Sequence, residues 1–388
     1  MWGGYHTSDG NLHSRLSIYS CDISYCRRNG VSCASVIGFN MHDTRIHHIG
    51  TSSKIVGTPP ESGLDLEYED GVADKGDVII RDCRITDCAQ KVISASNSSP
   101  PVLDNFVIEG CYFEGASFQV CHVKKAKTKT IRNCTVVHCP IHFGDAVVDD
   151  TSFDLGHGVH YVSGGHFRRC DFVGSLEESK SNYGCTLAGT NLNETIFEDC
   201  SFINIRAANN TSPTYQGFSG YHFPLRVIFK RCTLSNCSFV RGNAKYASSF
   251  VFYDSKLLDG CMIYNLNNDI PVKFERCELI DLSGYQTQTG LFSFKNSTLV
   301  QKNKSMTQPL LLYGNNSFDR CTIVDEVGFP YISAKKHGIK SYRLEASRSI
   351  ISFHSDSIKT EGMSLRKGVI HGISKDSFMG SLCSVKFE

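Results

Sequence analysis

Residues 227–237, VIFKRCTLSNC, contain the pattern that decides the fold. Phe229 is followed three positions later by Cys232, and Leu234 comes two positions after the cysteine. Residues two apart in a β-strand point to the same side, so Cys232 and Leu234 share one face. A buried cysteine behaves as a small hydrophobic residue, which suits a bend where there is little room. The segment therefore predicts two short strands joined by a turn, with the small and apolar side chains inside.

The same spacing recurs along the chain and accounts for nine of the 18 cysteines. The further copies are Ile18-Cys21-Ile23, Ile80-Cys83-Ile85, Ile108-Cys111-Phe113, Ile131-Cys134-Val136, Phe167-Cys170-Phe172, Phe197-Cys200-Phe202, Phe274-Cys277-Leu279 and Phe318-Cys321-Ile323. Threonine or serine takes the small position in Met41-Thr44-Ile46, Phe252-Ser255-Leu257 and Phe294-Ser297-Leu299. In the C-terminal half the copies lie about two dozen residues apart, which is the size of one coil of a solenoid.

Two further regularities fit stacked coils. In four coils a second cysteine follows five residues after the first, in the pairs Cys21/Cys26, Cys83/Cys88, Cys134/Cys139 and Cys232/Cys237. We interpret these as a second internal ladder, because no Cys-x-x-Cys spacing typical of a structural zinc site occurs. Charged pairs such as Arg81-Asp82, Lys230-Arg231 and Glu275-Arg276 stand between the apolar positions and indicate solvated turns.

The alternatives fit less well. No window has the apolar spacing of an amphipathic helix, and a β-propeller would show a longer repeat with Asn-Gly hairpins, of which only Asn29-Gly30 occurs. We therefore predict an all-β, right-handed parallel β-helix that forms a single domain over residues 1–388. Its coils have about 20–30 residues with inserted loops, and irregular terminal coils are expected at 330–388.

Charge and composition exclude several classes of partner. The net charge is +1, from 40 basic and 39 acidic residues, so no global field attracts nucleic acid. No run of 18 apolar residues occurs, and the N-terminus lacks a basic and apolar leader. We expect no membrane insertion, no signal peptide, synthesis in the cytoplasm, and neither cofactor nor metal.

Three segments carry a resemblance to a known family: Arg28-Asn29-Gly30-Val31, Ile46-x-x-Ile49-Gly50 and Ser62-Gly63-Leu64-Asp65-Leu66-Glu67. Together with the coil pattern they resemble the β-helix proteins of the pectin-lyase-like superfamily, most of all bacteriophage tailspikes and pre-neck appendage proteins. In related sequences the last segment often ends in proline, where this chain has Tyr68. The resemblance implies a homotrimer in a virion tail, extracellular after assembly, that targets a polysaccharide or teichoic acid.

Asp65 and Glu67 are the predicted catalytic residues. Their strand alternates, so Leu64 and Leu66 are expected inside and the two acids outside, facing water, with backbones about 6.6 Å apart. Inverting glycosidases hold their carboxyl groups about 6.5–9.5 Å apart, with a water between them. An ordinary solvated strand face would show the same alternation.

The predicted substrate-binding residues follow from aligning coils on Gly4, Gly30 and Gly63. This alignment places His6 and Ser32 in file with Asp65, and later coils add residues to the same wall. Loop residues on a rigid scaffold complete the groove. The predicted set is His6, Asp9, Ser32, Lys54, Glu61, Lys91, Gln119 and His142.

One histidine-rich segment has the residue types of a metal site. It contains His42, Asp43, Arg45, His47 and His48. Because adjacent residues of a strand point to opposite faces, His47 and His48 are expected to diverge, and we predict no metal there.

Three functions remain open from the sequence. The favoured function is a tailspike-like glycan depolymerase that hydrolyses its substrate with Asp65 and Glu67 as acid and base. The second is a receptor-binding module that holds a surface polymer without cleaving it. The third is a polysaccharide lyase or epimerase acting on uronic acids.

Overall fold

The computed structural model describes residues 2–3, 15–34, 38–51, 59–67, 76–95, 103–120, 126–156, 158–162, 164–175, 185–188, 194–205, 217–219, 226–241, 249–265, 272–284, 288–289, 292–303, 312–313, 316–326, 344–347, 349–352, 363–371, 375–376 and 381–387. These residues form strands, turns and bends, and none of them is helical. Accordingly, the described part of the chain holds no helix able to cross a membrane. The chain divides into two compact units, Met1–Ser175 with Gly189–Thr195, and Leu176–Ala188 with Ile196–Glu388.

In the first unit each coil contributes one strand to each of three parallel sheets. Sheet A contains Trp2–Gly3, Val31–Ala34, Ser62–Glu67, Lys91–Ala95, Ser117–Gln119, Ile141–His142 and Gly158–Tyr161. Sheet B contains Arg15–Tyr19, Gly38–His42, Asp77–Arg81, Asn105–Glu109, Thr128–Arg132, Val147–Asp149 and His166–Arg168. Sheet C contains Asp22–Ser24, Arg45–His47, Arg84–Ile85, Tyr112–Glu114, Thr135–Val137, Ser152–Gly156 and Asp171–Gly174.

The second unit repeats this order of strands within each coil, and its sheets take the same letters. Sheet A contains Cys185–Ala188, Gly217–Ser219, Ser238–Arg241, Met262–Asn265 and Ser283–Gly284. Sheet B contains Thr195–Glu198, Arg226–Lys230, Ser249–Tyr253, Val272–Glu275, Phe292–Lys295, Asn316–Asp319, Leu344–Ser347, Met363–Arg366 and Ser381–Cys383. Sheet C contains Ser201–Ile203, Thr233–Ser235, Lys256–Leu258, Glu278–Ile280, Thr298–Gln301, Thr322–Asp325, Ile350–Ser352, Val369–His371 and Lys386–Phe387. A separate pair of strands joins Gln288–Thr289 to Leu312–Tyr313.

This architecture is a parallel β-helix and confirms the predicted fold class. The pairing is parallel, and each strand lies beside the equivalent strand of the next coil, as in the five-residue match of Asn105–Glu109 to Asp77–Arg81. Such sheets need a crossover between successive strands, which the other two sides of the coil provide. The single domain and the irregular coils at 330–388 stay predictions.

Each coil bends between sheets B and C at a residue in the left-handed backbone conformation. Asp43, Asp82, Asn133, Asp150 and Arg169 hold this place in the first unit, with φ between 49° and 52°. The backbone N–H of Asp43 donates to the carbonyl of Arg81 in the next coil at 3.2 Å. The predicted charged pairs therefore lie in turns, where Asp and Asn tolerate the left-handed conformation better than most residues.

The residue that follows this bend is the Cys, Ser or Thr of the repeat. In successive coils these side chains form a ladder of hydrogen bonds. The Cys83 Sγ donates to the Arg81 carbonyl at 3.0 Å, and the Cys83 N–H donates to the Cys111 Sγ at 3.4 Å. Where Thr151 holds the position, its Oγ1 accepts from the Cys134 N–H at 3.3 Å. A hydroxyl makes the same two bonds as a thiol, which explains why Ser and Thr replace Cys in the repeat.

The described cysteines are present as thiols, and the second cysteine of the repeat is internal in three of its four copies, whereas Cys26 is half-buried. Cys88, Cys139 and Cys237 are buried. Burial raises the pKa of Cys88 and that of Cys139 to about 12. These thiols are consequently protonated at neutral pH and act as packing groups.

Candidate functional site

The outward face of sheet A in the first unit carries a row of polar residues, one from each of several successive coils, which we call the polar file. Asp65 pairs with Ser32 on one side and Ser94 on the other. Ser94 pairs with Gln119, and Gln119 pairs with His142. The neighbours of Asp65 along its strand, Leu64 and Leu66, are buried inside the coil. Ser32 therefore lies beside Asp65 and Gln119 and His142 lie on the same wall, as expected, whereas the roles of these residues in binding and catalysis stay predictions.

The start of this file differs from the prediction. Trp2 pairs with Ser32 and Gly3 with Cys33, so Gly4 is not the equivalent of Gly30, and His6 does not hold the position beside Ser32. Backbone pairing sets the register of a coil, and glycines recur at too many places to fix it. His6, Asp9 and Lys54 themselves lie outside the described residues.

The equivalence of Gly30 and Gly63 is confirmed, because the residues that follow them, Val31 and Leu64, pair directly. A Cβ on Gly30 would lie 2.5 Å from the Ile46 Cγ2 and 2.7 Å from the Gly63 carbonyl oxygen. Glycine is required here because successive coils approach too closely for a side chain.

Asp65 is fully buried, with 0% of its surface exposed, which corrects the expectation that it faces water. The Asn29 Nδ2 donates to the Asp65 Oδ2 at 2.9 Å and to the Ser32 Oγ at 2.8 Å. The Asn29 Oδ1 accepts from the Ser62 N–H at 3.0 Å. A side chain can point away from the sheet and still be covered by neighbours, and the Asn29 amide supplies the polar contact that a buried carboxylate needs.

Two more predicted residues lie beside this file. Lys91 pairs with Ser62 rather than with Asp65, and its Nζ donates to the Ser94 Oγ at 3.2 Å. The Glu61 Oε2 accepts from the Gln90 Nε2 at 3.2 Å. Both side chains are half-buried, so the structure places Lys91 next to the file and Glu61 at the start of the same coil wall.

For Glu67 the structure describes the backbone, which pairs with Ala34 as predicted. Its side chain lies outside the described residues. The predicted pairing of the Asp65 and Glu67 carboxyl groups therefore stays a prediction.

Two residues of this wall were missed by the sequence analysis. Asn29 directly precedes Gly30, where glycine is required. An amide side chain at such a tight corner, close to a strand that carries an acid, indicates a hydrogen bond between the two. Ser94 occupies the Asp65 position of the following coil, where the alternation of Lys91–Ala95 could have revealed it.

An open groove lies elsewhere, on the outer face of sheet B in the first unit. Its volume is about 490 Å³, and its lining includes Arg15, Ser17, Tyr19, Asn40, Asp77 and Asp104. The Tyr19 ring is 54% exposed, and its hydroxyl accepts from the Asn40 Nδ2 at 2.8 Å. An exposed ring between amide, carboxylate and guanidinium groups can stack on a sugar while its neighbours form hydrogen bonds.

The structure separates the histidine-rich segment into two groups. The Nδ1 of His42 lies 3.0 Å from the Asp43 Oδ2, and its Nε2 lies 3.2 Å from the Asp82 Oδ2. The ligand atoms of these three residues lie within 4.8 Å of one another, so they could approach a cation together. His47 and His48 form the other group, and Arg45 is exposed between the two.

His47 and His48 do not diverge, contrary to the sequence expectation. Their Nδ1 atoms lie 2.6 Å apart. The alternation of a strand ends at His47, and His48 has a left-handed φ of 54°, which turns its ring back towards its neighbour.

Comparison with known proteins finds no family for this chain and gives only a distant structural likeness. No family model matches the chain, and no curated protein matches it significantly. Among solved structures, the chain is similar to a trypsin-treated form of QnrB1, a plasmid-mediated fluoroquinolone resistance protein. The identity is 11% over 81% of this chain and 91% of that chain, with a TM-score of 0.23. A likeness this distant carries no argument about function.

Proposed function

We propose that this protein binds a bacterial surface polysaccharide or teichoic acid along the outer wall of its first unit, in the manner of a phage tailspike. The observation that carries the proposal is the open groove on sheet B, with the exposed ring of Tyr19 beside Asn40 and Arg15. Parallel coils repeat about every 4.8 Å, so their outer wall offers evenly spaced hydrogen-bonding groups to an extended polymer. The Arg15 guanidinium also suits the phosphate of a teichoic acid. In this proposal the chain acts as a homotrimer on a virion tail.

Binding is tested by titrating the full chain with purified capsular polysaccharides, lipopolysaccharide O-chains and teichoic acids. Replacing Tyr19 by alanine should weaken binding about fivefold, because a well-placed aromatic contact is worth about 1 kcal/mol. Tyr25→Ala removes another exposed ring of the same unit and serves as the matched control. If no polymer binds, or if both variants bind as the wild type does, the proposal fails.

Hydrolysis at Asp65 and Glu67 is the second candidate. It is favoured by the file that brings Asp65, Gln119 and His142 to one face, and opposed by the burial of Asp65. Mass spectrometry of digested glycans separates cleavage from binding, since binding alone releases no shortened products. Asp65→Asn and Glu67→Gln should each abolish cleavage and preserve binding. Undiminished turnover in both variants would remove these residues from the mechanism.

A further inference from the structure

His47 and His48 lie at the corner where sheet C of the first unit ends. Tyr25, His48 and Asp87 hold equivalent corner positions in three successive coils, each with a left-handed φ between 51° and 55°. Parallel pairing of Ser24 with His47 fixes this alignment. The three side chains are thereby brought into a file on the outside of the coil.

A carboxylate contacts the outer nitrogen of each histidine ring. The His47 Nε2 lies 2.8 Å from the Asp22 Oδ1, and the His48 Nε2 lies 3.1 Å from the Asp87 Oδ2. The Tyr25 ring stacks on the His48 ring with centroids 4.8 Å apart. Both imidazoles are consequently held in orientation by neighbours from adjacent coils.

These contacts determine which nitrogens carry hydrogen. An ionised carboxylate only accepts hydrogen bonds, so the Nε2 of each histidine must donate. In a neutral imidazole the other nitrogen, Nδ1, then carries a lone pair. The lone pairs of His47 and His48 face each other across 2.6 Å, a separation that is favourable only with a cation between them.

We propose that His47 and His48 bind a divalent transition-metal ion such as Zn²⁺ through their Nδ1 atoms. Imidazole is a preferred ligand of zinc, copper and nickel. Histidines that bind metal usually donate their other N–H to a carboxylate, and Asp22 and Asp87 occupy those positions here. Asp22 and Asp87 are positioning residues in this site, because they contact the rings rather than the ion.

The geometry requires a small movement. Zinc–nitrogen bonds are about 2.0–2.1 Å long, so two tetrahedral ligands stand about 3.3 Å apart and the rings must separate by about 0.7 Å. The His47 side chain is 11% exposed and that of His48 is 42% exposed. His48 can therefore move outwards, and its solvent side leaves coordination positions open for water or another ligand.

His42 is a poorer candidate, although it lies between two acids. Both of its ring nitrogens face carboxylate oxygens, those of Asp43 and Asp82. A metal ion would have to displace one of these contacts. The His47–His48 pair already directs two ring nitrogens at a single point.

The test is isothermal titration calorimetry of the full chain, carrying no histidine tag, with zinc chloride. We expect one equivalent of Zn²⁺ to bind, and His48→Asn to weaken binding at least tenfold. Asparagine suits the left-handed conformation, and Asn204 and Asn236 adopt it elsewhere with φ of 57° and 52°. His138→Asn is the matched control, because His138 has the same left-handed conformation, with a φ of 51°, and its Nε2 also faces a carboxylate, lying 3.7 Å from the Asp154 Oδ1.

A second measurement needs no variant. The electron paramagnetic resonance spectrum of the wild type with one equivalent of Cu²⁺ should show hyperfine coupling to two imidazole nitrogens. Absence of zinc binding would overturn the proposal and leave a shared proton between the rings. It is equally overturned if His48→Asn binds as the wild type does, or if His42→Asn, rather than His48→Asn, abolishes binding.

Discussion

The same internal position of sheet B holds mostly aliphatic side chains in the first unit and phenylalanine rings in the second. In the second unit Phe229, Phe252, Phe274, Phe294 and Phe318 stack with centroids 4.7–5.0 Å apart and planes within 9° of parallel. In the first unit the paired residues at that position are Ile18, Met41, Ile80, Ile108, Ile131 and Val148, followed by Phe167 in its last coil. Both files are fully buried.

The difference shows that the coil demands a buried apolar side chain at this position rather than one particular residue. The spacing of parallel strands is about 4.8 Å, which accommodates either stacked rings or interlocked aliphatic groups. The two types of side chain also meet directly, because Val148 pairs with Phe167 within the first unit. By contrast, the Cys, Ser or Thr ladder after the bend is the same in both units, because it forms hydrogen bonds that every coil needs.

The largest expected effect is in the aromatic file. Phe274→Ala should lower the free energy of unfolding by about 4 kcal/mol, because it removes a ring that stacks on Phe252 and Phe294 and leaves a cavity. Ile131→Ala in the aliphatic file should cost about 3 kcal/mol, because the side chain that it removes is smaller. Guanidinium unfolding followed by circular dichroism measures both. Equal losses would show that the two files do not differ in how much packing they contribute.

A buried histidine makes the stability of the first unit depend on pH. His160 is fully buried, and burial lowers its pKa to about 4 from an ordinary value of 6.5. Between these values the unfolded chain takes up a proton and the folded chain does not, so stability falls as the pH is lowered. The loss approaches about 3 kcal/mol near pH 4.

His160→Leu should remove this component, so that its advantage over the wild type grows between pH 6.5 and pH 4. Denaturant unfolding at several pH values measures the difference between the two proteins. Phe274→Leu in the second unit is the control, and its difference from the wild type should stay constant over the same range. A constant difference for His160→Leu would contradict the assignment.

The smallest effect tests the ladder that the two units share. The Ser255 Oγ accepts from the Cys232 N–H at 3.1 Å, and the Thr151 Oγ1 accepts from the Cys134 N–H. Ser255→Ala and Thr151→Ala should each cost about 1–2 kcal/mol, because a buried N–H loses its acceptor. Ser255→Cys should retain most of the stability, as measured by thermal unfolding. If alanine and cysteine at 255 are equally stable, hydrogen bonding does not explain the choice of residue.

Part of the candidate site was also predictable. The alternation of Ser62–Glu67 and the equivalence of Gly30 and Gly63 placed Ser32 beside Asp65, and Gln119 and His142 were expected on the same wall, where the strand pairing puts them. The burial of Asp65 was not predictable, since it depends on Asn29, which is 36 residues away in the chain. The failed alignment of His6 has a similar cause, because pairing with the next coil, and not the local sequence, sets the register.

The sequence by itself determined the β-helix, because a repeated order of small and apolar residues admits few ways to bury them all. It also determined the thiol ladder, whose hydrogen bonds any small Sγ or Oγ can make. The tertiary structure alone decided where polar side chains meet. His47 and His48 face each other because the left-handed φ of His48 turns the chain at a corner. Asp22 and Asp87 contact the two rings from other coils. Contacts between coils depend on register and on left-handed turns, which no single coil encodes.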